Sequence, residues 1–165
     1  TKAALAKEGY SGDVRVMDAE NLEFADNSFD LIVCSGVLHH MDVKSVFPEM
    51  ARVLKPGGEV VAIEALGYNP AIRAYRRLTP KLRTAWEPDH IITFKELNLA
   101  KDNFGKIETR NFFLLSIIAV FFRKTFLFKP VLAVLDALDN IILRIPGLKH
   151  MSWQILVRFK EPKKG

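Results

Sequence analysis

Two adjacent imidazoles, His39 and His40, follow the apolar run Phe29-Asp-Leu-Ile-Val-Cys34, and an acid, Glu64, closes the next β-branched run, Glu59-Val-Val-Ala-Ile63. Imidazole exchanges protons near neutral pH. A carboxylate behind it orients the ring and raises its basicity, so the two make a positioned base for a proton that must leave a reacting group. A second carboxylate, Asp18, stands just past the alternating stretch Val14-Arg-Val-Met17. Cys34 is the only cysteine and reads as a small core residue rather than a nucleophile. A lone cysteine excludes an internal disulfide framework and fits a reducing cytoplasm. With four histidines in the chain, no metal site is expected, and His90 reads as part of a lid or turn.

The elements that must hold these groups follow from spacing. The first nine residues read as the end of a helix stopped by Gly9. Val14–Met17 predicts a strand, and Phe29–Cys34 predicts a buried parallel one. Asp42 is the expected N-cap of a helix whose apolar residues, Val43, Val46, Phe47, Met50, Val53 and Leu54, recur at helical spacing. Lys55-Pro-Gly-Gly58 turns the chain into the strand 59–63. Strand, helix, turn and strand in this rhythm predict an α/β sheet with right-handed crossovers. Further on, a basic and aromatic helix-loop stretch begins at Leu66. Phe94–Ala100 predicts a helix, 106–120 a strand running on into a helix, 131–145 an apolar-striped helix, and Trp153–Phe159 a last strand.

At 165 residues, with 49% hydrophobic and 26% charged residues, the chain can bury one core and is not a disordered type. Its net charge of +5 conceals a division: residues 1–64 carry −5 and residues 65–165 carry +10. The second half is therefore suited to an anionic partner. The uncharged run Asn111–Phe122 is too short to cross a bilayer. Beside it, phenylalanines alternate with Arg123, Lys124 and Lys129, which suits a membrane surface or a lipid-linked molecule as well as it suits packing on the sheet.

Three segments together resemble the class I S-adenosylmethionine-dependent methyltransferases. They are Val16-Met-Asp18 through Phe29-Asp30, then Phe29-Asp-Leu-Ile-Val-Cys-Ser-Gly-Val-Leu-His-His40, and Phe47-Pro-Glu-Met-Ala-Arg-Val-Leu-Lys-Pro-Gly-Gly58. The resemblance implies a Rossmann-like α/β sheet with a helical insertion near the C-terminus. It implies S-adenosylmethionine as cofactor, with Asp18, Ala19 and Glu20 at its adenine and the backbone of Cys34, Ser35 and Gly36 facing its cationic end. Ligands of open α/β sheets sit beyond the carboxyl ends of the strands, where these residues fall. In related O-methyltransferases with a Leu-His-His-Met stretch, the second histidine and an acid after the fifth strand form the basic pair, which implies His40 with Glu64. His39, Tyr68, Arg73 and His90 are the expected acceptor-binding residues. The family's glycine-rich loop and first two strands have no counterpart in this sequence. A truncated domain is therefore expected, with weak cofactor binding by this chain alone.

On this reading residues 1–64 form the cofactor side, 65–105 a lid and substrate segment, and 106–160 the last strands with inserted helices. The expected function is methyl transfer to an O or N atom of a small, lipid-linked or sugar-linked acceptor, in a cytoplasmic protein peripheral to a membrane or in a homodimer. The alternatives are a non-catalytic methyltransferase-like binding module and a membrane-associated partner protein. Nucleic acid ranks last as acceptor, because the chain lacks an Asn/Asp-Pro-Pro-Tyr type motif.

Overall fold

In the computed structural model, which describes residues 2–78 and 91–164, four strands form one open mixed sheet. They are β1 (Phe29–Ser35), β2 (Leu54–Ala65), β3 (Phe104–Phe112) and β4 (Gln154–Pro162), in the spatial order β1-β2-β4-β3. β1 and β2 run parallel, whereas β4 is antiparallel to both β2 and β3. The parallel pair is joined through helix α2 (Val43–Val53), the expected crossover. Asp42 caps α2 as its sequence position predicts, its side chain accepting from the backbone N–H of Lys44 and from Ser45 Oγ.

The apolar stripe of α2 closes over one face of the sheet. Val46 and Phe47 are fully buried, and Met50 nearly so, in one core with Val60 and Ala62 of β2 and Ile155, Val157 and Phe159 of β4. The Phe47 and Phe159 rings lie 5.2 Å apart, and Phe104 meets Phe159 at 5.4 Å. Helix α4 (Phe94–Leu99) seals the β3 side through Leu97, and Thr93 with Glu96 forms a capping box at its start. Two further helices are α1 (Lys2–Lys7), stopped as expected at Gly9 with a φ of +77°, and α3 (Pro70–Leu78), which lies between β2 and α4 in the chain.

Two expectations are corrected here. Val14–Met17 is not a strand; it is extended chain outside the sheet, and Val16 is wholly exposed. β1 is parallel to β2 as predicted but is not buried on both faces, since Leu31 and Val33 are 50% and 67% exposed. Both departures have one cause. Among the described residues nothing pairs with the outer edge of β1, so an isolated four-residue strand has no ladder to join and gains little by becoming regular.

The insertion between β3 and β4 comprises a 3-10 segment (Ser116–Phe122), helix α5 (Phe128–Ile142) and a 3-10 turn (Leu148–Met151). One buried acid ties it together. Asp139 accepts from the backbone N–H groups of Leu114, Leu115 and Ser116 and from Ser116 Oγ. Burial opposes its ionisation, yet these four donors hold its pKa below the ordinary carboxylate value.

Candidate functional site

β1 and β2 end side by side, with Ser35 opposite Ile63, and Gly36 donates its N–H to Ile63 O at 2.8 Å. Gly36 has a φ of +62°, a left-handed conformation that suits glycine and turns the chain sharply out of the sheet. The 3-10 turn Leu38–His40 follows at once. Strand period two places Glu64 on the same buried face as Val60 and Ala62, so its carboxylate sits under that turn. One oxygen accepts from the N–H groups of Val37 and Leu38, both at 2.8 Å, and the other lies 2.8 Å from His39 Nδ1.

This arrangement corrects the expected pairing. Glu64 stands behind His39, and the His40 ring is exposed, lying against the His39 ring with 4.0 Å between centroids. The fully buried Leu38 side chain anchors the turn in the core, so the next residue folds back over the end of β2 and the one after points outward. The Glu64 side chain is wholly buried and that of His39 is 15% exposed. Glu64 is the acceptor toward both backbone N–H groups; where it also accepts from His39, Nδ1 carries the hydrogen and Nε2 is the ring's proton-accepting nitrogen.

A second wall comes from the turn at Asp18. Its Oδ1 accepts from Glu20 N at 2.9 Å, and Glu20 Oε1 accepts from Asp42 N at 2.8 Å. The second bond joins the Asp18 turn to the loop that carries the histidines. Farther along, Leu22 N donates to Glu49, and Arg52 donates to the carbonyls of Leu22 and Phe24 and to Asp26. Arg52 hydrogen bonds also hold the Glu49 carboxyl below its usual range. Helix α2 thus clamps the whole 20–26 segment, a role sequence reading missed because Glu49 and Arg52, three apart on a polar helix face, look like an ordinary surface pair.

Among the 19–24 segment, β1 and helix α2 lies an apolar cleft of about 280 Å³, whose lining includes Ala19, Phe24, Phe29, Cys34, Met41 and Met50. It suits a flat aromatic ligand group, with the exposed carboxylate of Asp18 next to Ala19 to take a hydrogen bond. The thiol of Cys34 is pushed up to about 11, first by burial and then by the negative charge of Glu64, so it is not an activated nucleophile.

The other expected residues are dispersed. Tyr68 accepts from Phe94 N through its hydroxyl at 3.2 Å and packs edge-on against His150 at 5.3 Å. His150 itself lies 4.5 Å from the Phe94 ring. No local motif marks His150; it arrives because β4 starts beside the end of β2, with Gln154 opposite Ala65. Arg73 is exposed on α3, away from the histidine turn in sequence and in hydrogen bonding. His90 lies outside the described residues.

Comparison with known proteins bears on the family and the fold. Residues 1–62 match the family model described as a methyltransferase domain. An uncharacterized protein of Escherichia coli, YafE, is 30% identical over 110 residues, which span 62% of this chain and 53% of YafE. The chain thus covers about half the length of that relative. The ubiquinone/menaquinone biosynthesis C-methyltransferase UbiE of Geotalea daltonii is 41% identical over 66 residues, 38% of this chain and 28% of UbiE. The crystal structure of BH2331 from Bacillus halodurans superposes with a TM-score of 0.57 at 17% identity, covering 98% of this chain and 77% of that one. At that identity the likeness concerns the fold.

Proposed function

We propose, from the premise that the chain belongs to the class I S-adenosylmethionine-dependent methyltransferases, that it carries the acceptor-activating half of a methyl-transfer site. The observation that supports this reading best is the His39–Glu64 pair at 2.8 Å on the carboxyl ends of two parallel strands. S-adenosylmethionine, when bound, supplies a methyl group already activated for displacement.

The chain's own residues then have three tasks. The apolar cleft accommodates the adenine, with Asp18 as acceptor for its exocyclic amine and Glu20 holding that turn against the histidine loop. The backbone at Cys34, Ser35 and Gly36 forms the floor between the cofactor side and the acceptor side. Nε2 of His39 takes the acceptor's proton as the new bond forms, and Glu64 stabilises the resulting imidazolium without itself becoming protonated. The base assignment therefore moves from His40 to His39, and His40, exposed at the rim, becomes an acceptor contact. In-line alignment of donor and acceptor supplies much of the remaining rate.

The acceptor we favour is a small or lipid-linked molecule, methylated on O or N; the name of UbiE adds carbon as a third acceptor atom. Each case requires a proton to leave, so the same base serves all three. Calorimetric titration with S-adenosylhomocysteine tests the cofactor half of the proposal. Saturable binding is expected, weakened roughly tenfold or more in Asp18→Ala, which loses one hydrogen bond to a charged group. Binding unaffected by that substitution, or no saturable binding, refutes the assignment.

A further inference from the structure

The insertion between β3 and β4 exposes more apolar surface than packing explains. Phe121 and Phe126 are 83% and 88% exposed, and Val134 and Ile141 are 62% and 66% exposed. Along α5 and its flanks the exposed apolar residues Leu127, Val134, Leu138, Ile141 and Ile145 recur at spacings of seven, four, three and four. They therefore form one helical stripe, about 27 Å long at 1.5 Å per residue. Arg123 and Lys124, between Phe121 and Phe126, and Arg144, next to Ile145, are exposed at its two ends. The acids of this helix lie elsewhere: Asp139 is buried under Ser116, and Asp136 accepts from Asn140, which in turn accepts from Arg110 of β3. An apolar stripe edged by cations and cleared of acids has the charge complement of an anionic bilayer.

Topology gives this surface a functional address. β3 ends and β4 begins at the same edge of the sheet where β2 ends, since Phe112 and Ala65 both lie opposite Gln154. The insertion therefore rises from the rim that bears Glu64 and His39. It is also fixed to that rim, because Asn69 donates to Met151 O and Leu66 donates to Trp153 O. Among the described residues no helix is long and apolar enough to cross a membrane, so the surface lies on a bilayer and does not span it.

We infer that the stripe from Leu127 to Ile145, with Phe121 and Phe126, seats the protein on anionic phospholipid and brings the site to the bilayer, from which the methyl acceptor is drawn. The docking stands on the exposed surface alone; the origin of the acceptor also rests on the methyl-transfer reading. The test is flotation of the full chain with phosphatidylcholine vesicles containing about one-third phosphatidylglycerol. Co-flotation at low salt is expected, falling at high salt as the charges are screened. Phe121→Glu with Phe126→Glu should abolish it, and Arg123→Gln, Lys124→Gln and Arg144→Gln together should weaken partitioning roughly a hundredfold. All five positions are exposed, so the fold and the binding of S-adenosylhomocysteine should be unchanged, which separates failure of docking from failure of the methyltransferase reading. Absence of flotation at low salt, or flotation that survives both variants, overturns the inference. So does a concentration-dependent dimer that the Phe variants dissolve and vesicles do not compete for, which would assign the stripe to a second copy.

Discussion

Glu64→Gln is the most informative single change, because it exchanges one carboxylate oxygen for an amide NH2 at almost no change in volume. Glu64 accepts three hydrogen bonds, two from backbone N–H groups and one from His39 Nδ1. A glutamine keeps its carbonyl oxygen on Val37 and Leu38, where both bonds reach the same atom. Its amide then faces His39 with hydrogens, so Nδ1 must accept and the ring hydrogen moves to Nε2. The ring then carries its hydrogen on Nε2, which can no longer accept a proton there. Replacing charged by neutral acceptors on these bonds costs about 1–2 kcal/mol of stability after relief of the buried charge. Glu64→Leu, by contrast, strands two buried backbone donors and should cost about 3–5 kcal/mol, a large part of a typical domain's stability. The assay is two-dimensional ¹⁵N–¹H NMR of imidazole-labelled protein at alkaline pH, where histidines are neutral. His39 should show an unprotonated Nε2 in the native chain and an unprotonated Nδ1 in Glu64→Gln, with denaturant midpoints reporting the stability ordering. Once an acceptor is in hand, the rate of methyl transfer should fall by about 10²- to 10⁴-fold. An unchanged tautomer in Glu64→Gln would refute the reasoning whatever the activity did.

Other expectations follow from buried groups away from the histidines. Asp139→Ala removes the acceptor of four hydrogen bonds and should cost about 2–4 kcal/mol, read as faster amide exchange at Leu114–Ser116 with the sheet amides little changed. The folded pKa of Asp139 is depressed, so its contribution is complete above the ordinary aspartate value and is lost as pH falls through the folded value. The insertion should accordingly loosen only under distinctly acid conditions, which circular dichroism and amide exchange below pH ~4 would check. With its thiol near 11, Cys34 is only about one part in a thousand thiolate at pH 8, so alkylation should require unfolding. Rapid labelling of the native chain would contradict the burial of that strand end.

Much of this was readable from local signals and some of it was not, and the division follows range. The helix stop at Gly9, the N-cap at Asp42 and the stripe of α2 are each fixed within one or two turns of chain, where caps, periodicity and glycine act, and the parallel pairing of the 29–34 and 59–63 runs followed from the strand-helix-turn-strand order. The choice between His39 and His40 is not. Both have the same type and neighbourhood, and only the anchoring of Leu38 in a distant core decides which ring meets Glu64. The clamp made by Glu49 and Arg52 was hidden for a similar reason: its partners lie more than 25 residues away in sequence. The strand expected at Val14–Met17 failed because alternation describes what a segment can do, whereas a strand requires a neighbour.

The sheet's mixed direction has the widest consequence for function. In a purely parallel sheet every connection must return to the opposite edge before the next strand, so only loops occupy the ligand-binding rim. Reversing β4 lets a 41-residue connection, from the end of β3 at Phe112 to Gln154, begin and end on that rim. The connection can therefore carry whole helices to the site without disturbing the core beneath it. Here it brings His150 against Tyr68 and Phe94, and it raises an acid-free apolar stripe beside the His39–Glu64 pair. On the two proposals together, proton transfer would fall to the parallel strands and delivery of the acceptor to the antiparallel insertion. Substitutions in the stripe should change access to a bilayer-held acceptor while leaving the tautomer of His39 where Glu64 sets it.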